Sequence, residues 1–381
     1  MSAAGPIRAR RAPPRLMLII GSLQGGGAER QLSLMANYWA DWGADVTLAT
    51  WSGPEIKDFY PLVPSVARLW LDARVPRQVP FASLIVSVRS LCKLRRVFRK
   101  LTPDVVVSFI DISNIYTIIA ARDLGLRVVI AERTHPAINR TISWPWRLLR
   151  RVCYSSAYAV VAQTQDAGRW LERHCRAHVT VIPNSLRELP RVQCDREQMI
   201  IAVGRLSVEK GFDLLLRAFA QLSADFPGWS VCIIGDGTER QALTRLREEL
   251  NLTARVEFLG EVQRVELWMA RAGLLVHPSR REGFPNAVLE AMGMGLAVVC
   301  ADCRAGPSEL IEDGINGRLV PVGDVGALAR AMSELMIAPQ LRERIGCEAR
   351  KVRKRYAQDA IMDEWQSLLL ADLQLARTDL R

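Results

Sequence analysis

The fold is decided by the stretch Ile200-Ile-Ala-Val-Gly204-Arg205-Leu-Ser-Val-Glu209-Lys210-Gly211-Phe-Asp213. An apolar run ends in a glycine, a short polar turn follows, and a helix-forming segment begins near Phe212. A continuous apolar run is typical of a strand that is buried on both faces, and a helix directly after it is typical of a parallel sheet. The stretch therefore predicts a strand–turn–helix unit of an α/β protein.

The same alternation continues along the chain, because short apolar runs are separated by segments of helical period. We therefore predict two doubly wound parallel sheets, one in each half, that face a central cleft at the carboxyl ends of their strands. The runs in the first half are 16–20, 46–49, 105–109, 128–131, 159–162 and 179–182, and those in the second half are 200–203, 231–234, 256–259, 274–277 and 297–300.

The length of the chain, 381 residues, exceeds what one hydrophobic core usually organises. We predict two domains of similar size, joined by a polar and irregular segment. The predicted parts are a disordered tail over 1–14, a first domain over 15–183, a linker over 184–198, a second domain over 199–358 and a C-terminal helix over 359–381 that packs back on the first domain.

Positive charge is concentrated in the first half. Residues 1–183 carry 25 Lys and Arg against 12 Asp and Glu, whereas residues 184–381 carry 26 against 28. This asymmetry indicates an anionic partner of the first domain: a membrane surface, a polyanionic acceptor or nucleic acid. The basic segments contain no recognisable DNA- or RNA-binding motif, so the sequence favours a partner other than nucleic acid.

The cellular compartment follows from the apolar runs and the thiols. No run is long enough to span a bilayer, and the run at 16–20 is too short for a secretion signal. The eight cysteines have no framework spacing, which favours free thiols in a reducing environment. We expect a cytoplasmic protein.

Two segments of the first domain combine basic residues with apolar or aromatic ones and contain no acidic residue. In 81–100 the apolar positions keep helical spacing, and in 144–151 two tryptophans lie among arginines. Such segments suit an anionic bilayer surface, but core-packed helices with solvated basic faces fit the pattern about equally well. The candidate membrane or acceptor residues are Arg89, Lys93, Arg95, Arg96, Trp144, Trp146, Arg147 and Arg150.

Two carboxylates flank the stretch Glu282-Gly-Phe-Pro-Asn-Ala-Val-Leu-Glu290. The residues after Glu282 have the chemistry of a turn, and those before Glu290 favour a helix. Glu282 is therefore expected before the helix and Glu290 about two turns along it. The backbone N–H groups of the helix start suit an anion or hydroxyl groups. The pair predicts a site for one ligand with two hydroxyl-bearing parts.

Cations and glycines follow two of the predicted strands. Arg205 and Lys210 follow the first strand of the second domain, where two positive charges can neutralise a diphosphate. Gly26 and Gly27 follow the first strand of the chain and let a phosphate or a sugar approach the backbone, although a purely structural turn fits equally well.

Two further strand ends offer ligand contacts. Gly235 ends one strand and lets a ligand come close, and Ser279 follows another strand just before Glu282. The sequence has no D-x-D pair that would hold a metal on a diphosphate, and it has no P-loop, G-x-S-x-G or H-E-x-x-H motif. It therefore indicates no metal and no cofactor.

Together these motifs resemble the retaining glycosyltransferases of family 4, which have the GT-B fold. The resemblance extends from about residue 15 to about residue 375, and the E-G-F-P-N form of the paired-carboxylate motif is fairly specific for the family. The stretches 26–30 and 306–309 are similar to the bacterial branch related to the N-acetylgalactosamine transferase of protein N-glycosylation.

The resemblance implies a role for each matching position. Arg205 and Lys210 bind the donor diphosphate and stabilise it as it leaves, Glu290 holds the ribose hydroxyls, and Glu282 holds the donor sugar. The implied catalytic residues are Glu282, Arg205, Lys210 and His135. The implied donor-binding residues are Gly26, Gly27, Arg205, Lys210, Gly235, Ser279, Glu282, Gly283, Phe284, Pro285, Asn286 and Glu290.

The resemblance also implies the reaction. The donor is a nucleotide-sugar, with UDP-HexNAc or UDP-hexose favoured, and the acceptor is a saccharide on a polyprenyl diphosphate at the cytoplasmic face of an anionic membrane. No cofactor is implied, because the nucleotide-sugar is a substrate. The alternatives are a transferase of the same fold with a soluble or other lipid acceptor, a sugar-nucleotide epimerase and a nucleic-acid-binding protein.

Overall fold

The computed structural model describes residues 13–73, 83–138, 142–190, 195–304 and 306–371. Most of the predicted disordered tail, Phe81, residues 191–194 of the predicted linker and residues 372–381 lie outside the described residues. The chain forms two compact units. The first unit comprises the described residues up to 132 together with 142–161 and 171–180, and the second comprises 133–138, 162–170 and the described residues from 181 onward.

The first unit is built on a seven-stranded sheet with the strand order β3-β2-β1-β4-β5-β6-β7. Its strands are β1 Arg15–Ile20, β2 Asp45–Thr50, β3 Ala67–Trp70, β4 Val105–Phe109, β5 Arg127–Ala131, β6 Ala159–Ala162 and β7 Val179–Val181. The helices of this half of the chain are α1 Gly27–Asp41, α2 Ser83–Leu101, α3 Asp111–Ala121, α4 Trp144–Cys153 and α5 Gln165–Cys175.

The second unit is built on a six-stranded sheet with the strand order β10-β9-β8-β11-β12-β13. Its strands are β8 Glu197–Val203, β9 Ser230–Ile234, β10 Val256–Gly260, β11 Ala272–His277, β12 Ala297–Ala301 and β13 Arg318–Val320. Its helices are α6 Phe212–Leu222, α7 Arg240–Glu249, α8 Val265–Arg271, α9 Asn286–Gly293, α10 Pro307–Leu310, α11 Val325–Ile337, α12 Pro339–Ala349, the short α13 Val352–Arg355 and α14 Gln358–Leu370.

The predicted fold class is confirmed, because each predicted apolar run is a strand and the strands pair in parallel. The sequence missed β3 and β13, each of which ends its sheet. These strands are short and half-exposed, so they lack the continuous apolar run that marks a central strand.

Alternate residues of the central strands pack into two separate apolar layers. Ile200 of β8 lies in the layer that contains Phe219 of α6, whereas its neighbour Ile201 lies in the layer that contains Met292 of α9. Burial on both faces explains why β8 is apolar over consecutive positions. Helix α6 follows β8 and helix α9 follows β11, so both helices begin near the edge of the sheet where these parallel strands end.

Among the helices of the described residues, none is long and apolar enough to cross a bilayer. The packing of residues 359–381 on the first domain and the other domain boundaries stay predictions.

Candidate active site

The candidate site of the second unit is formed by loops that touch through their main chains. Gly235 has a φ of +128°, and a Cβ there would lie 2.1 Å from the carbonyl oxygen of Gly204. Gly211 has a φ of +67°, and a Cβ there would lie 2.3 Å from the carbonyl oxygen of Pro278. Both the conformation and the space require glycine, and the loops after β8, β9 and β11 are held at a fixed spacing.

Glu282 lies in a charged cluster after β11. The Nζ atom of Lys210 lies 2.6 Å from Oε1 of Glu282, and Nε2 of His277 lies 2.7 Å from the same oxygen. Ser279 Oγ lies 3.0 Å from that ring nitrogen. Burial would raise the pKa of Glu282, but the Lys210 ammonium and His277 hold it at about 2. Glu282 is therefore a carboxylate at neutral pH.

His277 is not among the predicted site residues, yet it contacts Glu282. An ionised carboxylate can only accept hydrogen bonds, so His277 donates to Glu282 through Nε2. His277 is buried and ends β11, which fixes the position of its ring. A histidine at a strand end five residues before a site glutamate is the signal that points to this contact.

Glu290 lies on α9 and is buried, as the predicted turn-then-helix arrangement requires. Its Oε2 atom accepts a hydrogen bond from Nη2 of Arg187 at 3.3 Å. The same arginine nitrogen donates to Oε2 of Glu266 at 3.1 Å. The sequence analysis missed Arg187 and Glu266, because the first falls in the predicted linker and the second is an ordinary helical glutamate.

The turn between the two glutamates is held by the loop that follows β5. A Cβ on Gly283 would lie 2.4 Å from the carbonyl oxygen of Arg133, so the two backbones are in contact. The side-chain amide of Asn184 donates to Oδ1 of Asn286 at 2.8 Å, and the Arg133 guanidinium donates to Oδ1 of Asn184. The loop that carries His135 therefore lies directly against the turn of the donor motif.

His135 is buried, and each of its ring nitrogens lies close to a polar group. The backbone N–H of Ala137 donates to Nδ1 at 3.1 Å, so the proton is assigned to Nε2, which lies 3.1 Å from Oδ2 of Asp166. Burial lowers the pKa of His135. Asp166 also accepts from Arg304 at 2.8 Å, and this hydrogen bond lowers the pKa of Asp166. The neutral ring therefore lies beside an ionised acid.

A cavity of about 460 Å³ lies beside this chain of contacts. Its lining contains carboxylates, guanidinium groups and a hydroxyl, the groups that bind sugars through hydrogen bonds. The lining residues include Gln165, Asp166, Arg169, Arg304, Ser308 and Glu309.

The remaining predicted donor residues are distributed between the units. Arg205 is exposed on the loop after β8. Phe284 is buried, and Pro285 contacts Gly306, where a Cβ would lie 2.6 Å from the proline ring. Gly26 and Gly27 belong to the first unit and open α1. Their donor-binding role stays a prediction.

The predicted membrane residues divide into exposed and buried ones, and this corrects the prediction for two of them. Trp146 and Arg150 are 5% and 2% exposed, so neither lies on a surface that can meet a membrane. Arg95 is half-buried and donates to the carbonyl oxygens of Ala120 and Arg122 at the end of α3. The residues that are exposed are Arg89, Lys93, Arg96, Trp144 and Arg147.

The outer face of α4 is apolar along one line. Trp144, Leu148 and Val152 are 74%, 54% and 64% exposed and lie four residues apart, so they share one side of the helix. Arg147 and Arg151 are exposed next to them. We call this set the α4 face.

Arg150 instead joins a buried polar cluster in the first unit. Tyr154 donates to Oε1 of Glu132 at 2.5 Å, and Nη1 of Arg150 lies 3.8 Å from the same atom. Burial raises the pKa of Glu132 to about 7, although the Arg150 charge opposes the rise. Asp111 also raises the pKa of Glu132.

Within the described ranges, no group of three or more His, Cys, Asp and Glu side chains is arranged to hold a metal ion. That the reaction needs no metal stays a prediction.

Two protein families match the chain. The family described as Glycosyltransferase Family 4 matches residues 25–186, and the family described as Glycosyl transferases group 1 matches residues 191–352. The two matches meet just after the first sheet and together cover every strand except β1, including the loops of the candidate site.

Relatives of known name support the same grouping. An α-1,4-N-acetyl-D-galactosaminyltransferase of Campylobacter jejuni, named for a glycan on PP-undecaprenol, is 27% identical over 93% of this chain and 98% of its own length. An exopolysaccharide phosphotransferase of Streptomyces coelicolor is 32% identical over 72% of this chain, which spans only 29% of that protein. HepE of Anabaena, solved in complex with UDP, has the same fold: its TM-score is 0.76 at 20% identity, over 94% of this chain and 100% of HepE.

Proposed function

The chain belongs to the glycosyltransferases of group 1 and family 4, and from this premise we propose that it transfers a sugar from a UDP-sugar to a saccharide on a polyprenyl diphosphate, with retention at the anomeric carbon. The proposal goes beyond the family in naming the nucleotide, the acceptor and the stereochemistry. Each of these has its own support.

The contact between Lys210 and Glu282 is the observation that carries the proposal. Cleavage of a sugar–phosphate bond builds negative charge on the leaving diphosphate, which a preorganised cation stabilises. Lys210 lies 2.6 Å from the carboxylate that we assign to the donor sugar, and Arg205 lies on the same loop. One end of the site thus suits a sugar and the other suits a diphosphate.

The state of Glu282 favours front-face transfer, in which the leaving phosphate accepts the proton of the acceptor hydroxyl. A carboxylate nucleophile is the usual route to retention in glycosidases. Lys210 and His277 both bind Oε1 of Glu282, and the pKa of about 2 makes the carboxylate a weak base. Such a group suits hydrogen bonds to sugar hydroxyls better than attack on carbon.

The nucleotide and the acceptor are proposed from the relatives. HepE was solved with UDP, and the Campylobacter jejuni relative is named for a glycan on PP-undecaprenol. The α4 face gives independent support for a lipid-linked acceptor, because a line of exposed apolar side chains beside arginines suits an anionic bilayer surface. We place the enzyme at the cytoplasmic face of the membrane, as a peripheral protein.

The test is a transfer assay in the presence of EDTA. The purified chain is incubated with one nucleotide-sugar at a time, from UDP-GlcNAc, UDP-GalNAc, UDP-glucose, UDP-galactose and GDP-mannose, and with an undecaprenyl-diphosphate-linked saccharide. Mass spectrometry of the lipid product reports transfer, and NMR of its anomeric signal reports the configuration. Glu282→Gln is the matched control, because it keeps the shape of the side chain and removes its charge.

We expect the acceptor to gain the mass of one sugar unit from a UDP-sugar, with an α-anomeric product and a large loss in Glu282→Gln. Transfer from GDP-mannose alone would overturn the UDP assignment. A trapped glycosyl–enzyme adduct would overturn front-face transfer. Conversion of a UDP-sugar to its epimer without acceptor would replace the proposal with an epimerase, and transfer only to a soluble saccharide would overturn the lipid-linked acceptor.

A further inference from the structure

Arg187 bridges two buried carboxylates of the second unit. Its Nη2 atom lies 3.1 Å from Glu266 and 3.3 Å from Glu290. The side chains of these glutamates are 10% and 6% exposed, whereas Arg187 is 28% exposed. The guanidinium therefore connects α8 and α9 from a segment that was predicted to be only a linker.

The electrostatics of the three residues require the arginine. Two carboxylates that are both shielded from water repel each other and favour protonation unless a cation neutralises them. Burial would raise the pKa of Glu266, but its backbone hydrogen bond and the Arg187 guanidinium lower it instead. Arg187 is shared between the two acids, so its loss changes the environment of both.

We propose that Arg187 is a positioning residue for the donor, which orients the Glu290 carboxylate to accept the ribose hydroxyls of the nucleotide. The inference rests on the proposed function, in which Glu290 binds the ribose. A carboxylate offers about four acceptor positions, so a hydrogen bond from Arg187 is compatible with bonds from two hydroxyl groups. Arg187 acts through Glu290 and stabilises a bound nucleotide without touching the reacting atoms.

Arg264 provides a matched control. It lies 3.3 Å from Oε1 of Glu266 and is 63% exposed, so it shares one of the two acids with Arg187. The contact from Arg187 to Glu290 has no counterpart among the contacts of Arg264 in the described part of the chain. A change at Arg264 therefore reports the effect of Glu266 alone.

The experiment measures the binding of two nucleotides by isothermal titration calorimetry, without acceptor or turnover. The nucleotides are UDP and 2′,3′-dideoxy-UDP, which lacks the hydroxyls that Glu290 is proposed to hold. The proteins are the unaltered chain, Arg187→Gln, Arg187→Lys and Arg264→Gln, each checked for an unchanged circular dichroism spectrum. Arg187→Lys keeps the positive charge and serves where the glutamine variant does not fold.

We expect Arg187→Gln to lower the affinity for UDP about tenfold or more and to leave the affinity for dideoxy-UDP nearly unchanged. The reason is that the variant loses a charge-assisted hydrogen bond to the group that holds the ribose. The UDP affinity of Arg187→Lys should lie between that of the unaltered chain and that of Arg187→Gln, and Arg264→Gln should bind UDP normally. In steady-state assays the loss in Arg187→Gln should appear in KM for the donor and leave kcat nearly unchanged.

An equal loss for both nucleotides in Arg187→Gln would show a structural role and overturn the inference, as would normal UDP binding in that variant. If Arg187→Lys is folded and Arg187→Gln is not, an equal loss of affinity for both nucleotides in Arg187→Lys would likewise overturn the inference. A chain that does not bind UDP at all would instead overturn the proposed donor, so the two failures are distinguishable.

Discussion

Lys210 and Glu282 are 72 positions apart in the sequence, yet Nζ of the first lies 2.6 Å from Oε1 of the second. Lys210 ends the turn after β8, and Glu282 lies in the turn after β11. Because β8 and β11 are neighbours in a parallel sheet, their carboxyl ends deliver both turns to one place. Two motifs that are separate in the sequence therefore form a single charged site.

The two cations of the first motif should respond differently to replacement by alanine. Both Arg205→Ala and Lys210→Ala are expected to slow transfer about a hundredfold, because each removes a cation from the transition state. Lys210→Ala should also destabilise the fold by roughly 2 to 3 kcal/mol, because it leaves a buried carboxylate without its ion pair. Arg205 is exposed, so its loss should change stability by less than about 0.5 kcal/mol.

The measurements are kcat for transfer and thermal unfolding of each variant. A double variant, Lys210→Met with Glu282→Gln, provides the control, since it removes both charges together and should recover much of the lost stability without recovering activity. Equal unfolding temperatures for Arg205→Ala and Lys210→Ala would contradict the role of the ion pair in the fold.

Gly283→Ala should damage the site through space alone. The new Cβ would lie 2.4 Å from the carbonyl oxygen of Arg133, so the loop that carries His135 has to move. A displacement of about 1 Å in an active site can lower the rate about a hundredfold. Gly326→Ala is the control, because its Cβ would meet only flexible side-chain atoms, the nearest being Nη1 of Arg330 at 3.3 Å.

We expect kcat/KM of Gly283→Ala to fall about a hundredfold and that of Gly326→Ala to stay unchanged. Comparable activity of the two alanine variants would mean that the two loops do not depend on this contact.

Glu132 should make stability depend on pH. Its pKa of about 7 lies above the ordinary value of 4.5, so the folded chain keeps a proton that the unfolded chain releases. The stabilisation is complete below pH 4.5 and is lost as the pH rises through 7, by on the order of 3 kcal/mol in total. Glu282 does not add to this dependence, since its pKa of about 2 affects stability only below pH 4.5.

The comparison is the unfolding temperature of the unaltered chain and of Glu132→Gln between pH 5 and pH 8. Glutamine mimics the protonated acid, so the unfolding temperature of the variant should rise relative to that of the unaltered chain as the pH increases. A temperature difference that is constant across this range would show that Glu132 does not titrate there.

The α4 face should bind membranes through its apolar line. Trp144→Ala combined with Leu148→Ala is expected to weaken binding to phosphatidylglycerol-rich vesicles tenfold or more, since burial of a large apolar side chain contributes about 1.5 to 3 kcal/mol. Trp42→Ala is the control, because Trp42 is also exposed but lies at the end of α1.

Vesicle sedimentation measures the bound fraction of each variant. Unchanged binding of the double variant, or an equal loss in Trp42→Ala, would remove the α4 face from the membrane contact.

The fold can be predicted from the sequence because a parallel strand that is buried on both faces needs apolar residues at consecutive positions. Ile200 and Ile201 face opposite apolar layers, and this requirement alone produces the apolar run that reveals the strand. The same reasoning placed Glu282 in a turn and Glu290 on a helix, as the structure has them. Local patterns thus determine which element carries each candidate side chain.

Contacts between distant segments are not available from local patterns. Arg187 contacts Glu290, which lies 103 positions further along the sequence. No local pattern near either residue predicts this contact. The two tryptophans of α4 show the same limit, because their shared basic context hides that Trp144 is exposed and Trp146 is buried. Helical spacing defines relative faces, but the neighbouring elements decide which face is covered.

The main-chain contacts at Gly211, Gly235 and Gly283 separate the scaffold of the site from its chemistry. The distances between these loops are set by carbonyl oxygens, which every amino acid carries, and so they persist when surrounding side chains are exchanged. A library of variants that is built to find a new donor sugar should therefore keep these three glycines and randomise the loop positions that lie between them. Variation would then explore new hydroxyl patterns on an unaltered frame.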